Sequence, residues 1–244
     1  MKISMLDNAA RARRAVHWIR ISVILSALVL LVMVIFAVMV EAPFSVFADP
    51  SKDVESSLAF LLFVLLEFVL GAVTLLVAFL SWIFRMLWMY RSLTNLRVSG
   101  SPSVSPLLAV LCNMIPVLGY VFSFLVFVSM TRRSEKVLVS RSTEFPKVNT
   151  RMLVIGLVFS VIAISMNLFD FFIPLANFIL LLLLEVAYWI CIGMWISAYS
   201  VREAHLFDLL RDEELRTRVE QVLRERKASL RGGCDIDSLK KSEP

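Results

Sequence analysis

The sequence predicts an all-α integral membrane protein: four transmembrane helices, a re-entrant hairpin broken by proline, and helical extensions into the cytoplasm. Three observations predict it. The 244 residues are 59% hydrophobic with a mean hydropathy of +0.81, far from the balance of a water-soluble domain. Four apolar runs, at about 21–40, 58–84, 152–172 and 175–199, each reach the roughly 20 residues needed to cross about 30 Å of hydrocarbon. The 25 Lys and Arg lie outside these runs, in a pattern that places nearly all of them on one side.

Taken in chain order, Lys2, Arg11, Arg13, Arg14 and Arg20 precede the first run and predict a cytoplasmic start. Residues 1–20 are expected to form a short amphipathic helix in the membrane interface, with Trp18 as an anchor at headgroup depth. The first run is expected to be a retained anchor. It is longer than the 7–15 residues of a cleavable core, and its small-residue site Val40-Glu41-Ala42 is followed by Pro43. The loop from Glu41 to Ser57 holds Glu41, Asp49, Asp53 and Glu55 against a single cation, Lys52, and is predicted outside. The second run has no breaker before Ser99-Gly100-Ser101-Pro102, so its helix is predicted to project into the cytoplasm through Trp88 and Leu93 to Leu96.

The apolar stretch 107–130 is long enough to cross, but its flanks oppose a crossing. As a fifth span it would place Arg132, Arg133, Lys136, Arg141, Lys147, Arg151 and the tail's ten cations outside, sixteen of 25 in all. A hairpin that enters and returns leaves only Lys52 outside, and Asn113-Met114-Ile115-Pro116 supplies its break. The kinked fifth span is the alternative. Residues 131–150 follow as a polar loop broken by Pro146, and the turn at 170–177, with Pro174, makes the last two runs an antiparallel pair.

After the membrane domain of residues 1–200, residues 201–230 are predicted to form a cytoplasmic amphipathic helix. Its narrow stripe is Leu206, Leu210, Leu215, Val219, Val222 and Leu223, with Glu214–Arg218 and Glu220–Arg224 at i,i+4. Gly232-Gly233 is expected to end it, leaving 231–244 disordered.

The stretch from Trp88 to Gly100 has the form W-x-Y-R-x-x-x-N-L-x-x-x-G and is followed by Ser105-Pro106 and Ile115-Pro116. It resembles the bacterial membrane family called domain of unknown function 4328, whose members carry a similar Trp, Arg and Asn-Leu run, then Ser-Pro, then Ile-Pro. The likeness covers about a fifth of the chain. It departs from the family pattern at Cys112-Asn113-Met114, where aromatic residues are expected. The resemblance implies a bacterial inner (cytoplasmic) membrane protein and names no activity.

Three groups of residues are candidates for function. Glu67 and Glu185, each nine to ten residues from the outer start of its run, are expected near the midplane. There they could join Asn113 at the hairpin apex as an intramembrane polar cluster, either a proton or cation site or a hydrogen-bonded brace. Trp88, Arg91 and Asn95 share one helical face and are expected to pin the helix at the interface or to hold a lipid or partner. Leu215, Val219 and Val222 are expected to bind a second copy or a cytoplasmic protein.

Other chemistries lack their residues. His17 and His205 lie outside the runs, and HExxH, P-loop, GxGxxG and GxSxG motifs are missing, so no enzyme is expected. Cys112, Cys191 and Cys234 make neither a disulfide framework nor a metal site, and no cofactor is expected. The net charge of +5 is assigned to anionic lipid headgroups, with no nucleic acid as partner. The expected function is a non-enzymatic scaffold or partner-binding membrane component with both termini cytoplasmic; the alternative is a proton- or cation-coupled transporter or channel using Glu67 and Glu185.

Overall fold

The computed structural model describes residues 6–41, 53–100, 104–115, 118–141, 144–168 and 174–240. Among them all regular structure is helical: α1 Ala9–Glu41, α2 Asp53–Val98, α3 Pro106–Asn113, α4 Leu118–Val139, α5 Arg151–Leu168 and α6 Pro174–Lys240. Three of these contain stretches long and apolar enough to cross a membrane, Ala9–Ile35, Leu61–Val98 and Phe178–Ser229; Arg151–Met166 is a shorter apolar helix. Most of the acidic loop predicted outside, Pro116 itself and the residues just before Pro174 lie outside the described residues.

Helix α1 packs along both α2 and α6, and α5 packs on the far side of α6. The buried face of α1 begins with Asn8, just before the helix, and continues through Ala12, Ala15, Ile19, Ser22, Ser26 and Val29. Steps of four and three residues keep these on one stripe, and the small side chains bring neighbouring backbones close. One continuous helix therefore replaces the interfacial helix expected over residues 1–20. Its first turns bury a face against protein, and Trp18 stacks on Phe84 at 5.8 Å. On the other side of α6, a methyl group on Gly156 of α5 would meet Cys191, Tyr188 and Ile192 at ordinary contact distance.

The 107–130 stretch divides into α3 and α4, as the break in its middle predicts. α3 turns back along the end of α2, where Asn113 Nδ2 donates to Met89 Sδ at 3.8 Å. The turn is tight: a methyl group on Gly119 would stand 2.8 Å from the Asn113 carbonyl oxygen. The Ser123 hydroxyl donates to Asn113 Oδ1. α4 then runs on to Val139, so the first part of the predicted polar loop 131–150 is helical. Leu138 is fully buried there, extending the apolar face of α4 past the cations.

Helix α2 ends at Val98, followed by Gly100 at φ 88°, a left-handed position that suits glycine. α6 does not stop at Gly232-Gly233 but continues to Lys240, so the tail expected to be disordered from residue 231 is helical over its first ten residues.

Candidate functional site: a buried polar hub

Where α1, α2 and α6 converge, the core becomes polar. Asn8, Ser92, Asn95 and Glu203 are all at most 5% exposed. Glu203, on α6, accepts from the Ser92 hydroxyl at 2.7 Å, from Asn95 Nδ2 at 2.9 Å and from Asn8 Nδ2 at 3.3 Å. Asn8 also donates to the Trp88 carbonyl at 3.3 Å. Asn95 is bonded to the Leu6 backbone in both directions, donating to its carbonyl at 2.9 Å and accepting its N–H at 3.2 Å. The segment before α1 is thereby tied to α2 as an added strand would be, but by an amide side chain.

Local sequence explains how these donors reach one point. Trp88, Ser92 and Asn95 fall at i, i+4 and i+7 of α2 and share its inward face. Asn8 precedes the first residue of α1, where its carbonyl accepts the Ala12 N–H, and its side chain is left free to reach across. Burial holds the Glu203 carboxyl above its ordinary pKa; hydrogen bonds from Ser92, Asn95 and Asn8 oppose the shift, and Asp7 reinforces it. Among the described residues no Lys or Arg forms an ion pair with it.

The neighbouring Arg202 points the opposite way. Its Nε donates to the Pro146 carbonyl at 2.8 Å and its Nη1 to the Thr131 carbonyl at 3.3 Å, with the guanidinium over the Phe145 ring at 5.5 Å. Burial lowers its pKa, while Glu135 opposes that shift. Consecutive residues of α6 thus hold two different parts of the protein. Beneath them lies an aromatic layer in which Trp88 meets Trp195 and Tyr199 edge-on at 6.0 and 5.9 Å, and Phe127 stacks on Trp195 at 4.5 Å. One helical segment outward, Arg85 is buried, donating to the Tyr188 hydroxyl at 3.1 Å and covering the Trp189 ring at 5.0 Å.

The predicted intramembrane cluster is not assembled. Glu67 lies 25 residues before Ser92, and Glu185 lies 18 before Glu203, the partner of Ser92. On parallel helices this seven-residue difference separates their depths by about 10 Å at 1.5 Å per residue. Asn113, bonded beside Met89, is about 33 Å along α2 from Glu67 by the same rise. Glu185 accepts from Trp189 Nε1 at 3.3 Å. Counting inward from the ends of hydropathic runs failed because α2 begins well before the point level with the start of α6.

Trp88 and Asn95 are also corrected. At 0% and 2% exposure they are parts of the core and present nothing to a lipid or partner, while Arg91 on the same helix is only half-buried. Leu215, Val219 and Val222 lie free, 50–57% exposed. Sequence reasoning missed Asn8, Ser92, Arg202 and Glu203. The signal present was uncharged polar residues at inward positions of an apolar face, Ser92 and Asn95 one turn apart and following Trp88 on α2.

The described residues contain no group of three or more His, Cys, Asp or Glu able to hold a metal ion. The hub encloses no measurable free volume. No protein family, curated protein or solved structure matches the chain.

Proposed function

We propose that this is a non-enzymatic multi-pass protein of the bacterial inner membrane that holds the outer part of α6 as a docking arm for a cytoplasmic protein or a second copy. The observation that carries the proposal is the abrupt change along α6. Arg202, Glu203 and Leu206 are fixed in the core, whereas every residue from 211 to 229 is exposed, including the apolar stripe Leu215, Val219, Val222 and Leu223. A helix clamped at its root and bare beyond it presents a preformed amphipathic surface, which lowers the ordering cost of binding.

Four crossings with both termini inside agree with the gathering of Asn8, Ser92, Thr131, Pro146 and Glu203 at one end of the bundle. The hairpin leaves from and returns to that same end, which supports the re-entrant reading. The likeness of Trp88 to Pro116 to domain of unknown function 4328 gains a physical content here: Trp88 and Asn95 of its motif build the hub. Transport through Glu67 and Glu185 draws no support from their different depths.

Replacing Leu215, Val219 and Val222 together by Ser is expected to reduce crosslinked oligomer or co-purified partner at least tenfold, since each buried apolar side chain contributes about 1.5–3 kcal/mol. Unchanged recovery at matched expression would return the tail to the role of a brace. Orientation is checked by single cysteines at Ser140 and Ser238 in a cysteine-free background; neither is expected to react with an impermeant thiol reagent on intact cells.

A further inference from the structure

The face shared by α1 and α6 is not closed. Between residues 16–24 of α1 and 189–201 of α6 lies an open groove of about 600 Å³, within the 300–1,000 Å³ usual for a ligand site. The α6 stretch alone is about 18 Å long at 1.5 Å per residue. Gly193 sets the base: a methyl group there would stand 3.2 Å from Ile19 Cγ2, so the missing side chain lets Ile19 seat on the α6 backbone. Val23, Ile24, Ile190 and Met194 form the walls, and Ile24 and Met194 are 65% and 52% exposed.

Beside these walls stand Arg20 and Ser197. Arg20 is exposed and has no ion pair among the described residues. Arg13, two helical turns earlier on the same side of α1, is exposed as well. Arg20 stands two residues along α1 from the Trp18–Phe84 stack, at the start of the first apolar run, a height that the membrane reading assigns to the headgroup layer. An unpaired cation beside an apolar channel complements a molecule with a hydrocarbon chain and an anionic head. A second copy docking symmetrically on this face would enclose two unpaired Arg20 guanidinium groups in one low-dielectric interface with no carboxylate among the groove residues to offset them.

We propose that the α1–α6 groove is a binding site for an anionic phospholipid, its acyl chain against Ile19, Val23, Ile24, Ile190 and Met194 and its phosphate at Arg20. The inference rests on the membrane reading and is independent of the docking arm, so loss of partner binding by the tail variant leaves it intact.

The test uses the full chain in phosphatidylcholine vesicles carrying a small fraction of spin-labelled phosphatidylglycerol or spin-labelled phosphatidylcholine. Phosphatidylglycerol is expected to be immobilised preferentially, and Arg20→Gln to reduce that preference about fivefold, the equivalent of ~1 kcal/mol for one cation near an anionic lipid surface. Met194→Trp, at an exposed position that tolerates bulk, is expected to remove the preference for phosphatidylglycerol, leaving the two lipids equally immobilised. Equal immobilisation of the two lipids by the wild type, or an unchanged preference in Arg20→Gln, overturns the proposal. So does a change of oligomeric state in Met194→Trp measured by light scattering, which would assign the groove to a second copy.

Discussion

Helix α2 has two halves built for different surroundings. From Leu61 to Phe79 only Val77 is buried, and Phe68 and Leu75 are 74% and 73% exposed. From Ser81 to Leu96, nine positions are buried, and they include Ser81, Arg85, Ser92 and Asn95. The apolar half lies outside the core and the polar residues lie within it, the reverse of what a water-soluble helix teaches. In lipid there is little hydrophobic gain from bringing Phe68 or Leu75 against another helix, so their burial is not required. Hydrogen bonds and close aromatic packing hold the inner half together, and the hub and the Trp88 layer are where that adhesion is concentrated.

Breaking the inner half at its largest side chain is expected to have the greatest effect. Trp88→Ala removes the ring that contacts Trp195, Tyr199 and Phe127, and is expected to destabilise the protein by about 3–5 kcal/mol. Reversible unfolding in mixed micelles is the measurement. A loss below about 1 kcal/mol would show that the aromatic layer is not the core.

The hub comes next. Glu203→Ala leaves Asn8, Ser92 and Asn95 donors without their acceptor and is expected to cost about 2–3 kcal/mol. Glu203→Gln keeps an acceptor and is expected to cost less. It also isolates the titration. A carboxyl whose folded pKa is raised contributes stability that is present below its ordinary value and is lost as pH rises through the folded value. Burial and Asp7 push in that direction, against the hydrogen bonds from Ser92, Asn95 and Asn8. The stability of the wild type relative to Glu203→Gln is therefore expected to fall as pH increases from the ordinary carboxylate range toward neutrality. A difference independent of pH over that interval would mean that Glu203 does not titrate there.

The outer half supplies the smallest effect. Phe68→Ala and Leu75→Ala, though they remove large apolar side chains, are expected to shift stability by no more than about 0.5 kcal/mol in the same assay. A loss comparable with that of Trp88→Ala would mean that this surface is covered in the assembled protein, and the contrast within α2 would disappear.

Much of the architecture was legible without coordinates. Apolar runs of sufficient length located the long helices, the absence of a breaker carried α2 to the residues before Gly100, and the expected break in 107–130 falls after Asn113, between α3 and α4. These features are local: each depends on residues a few positions apart, through hydrogen-bonded turns and the length of chain needed to cross hydrocarbon. The 25 Lys and Arg, all outside the apolar runs, were equally plain from the sequence. Only the tertiary structure decided that Asn8 would meet Glu203, 195 residues away, and that Ser92 would meet it from 111 residues away. Such meetings depend on how each helix is rotated about its axis and slid along its neighbours. An almost uniformly apolar helix carries little periodic signal to fix either, so the register was set by Gly193 beneath Ile19, by the aromatic layer around Trp88 and by the partners of Arg202. That same sliding separated Glu67 from Glu185, while the clamp at Arg202 and Glu203 left the stripe beyond residue 210 uncovered.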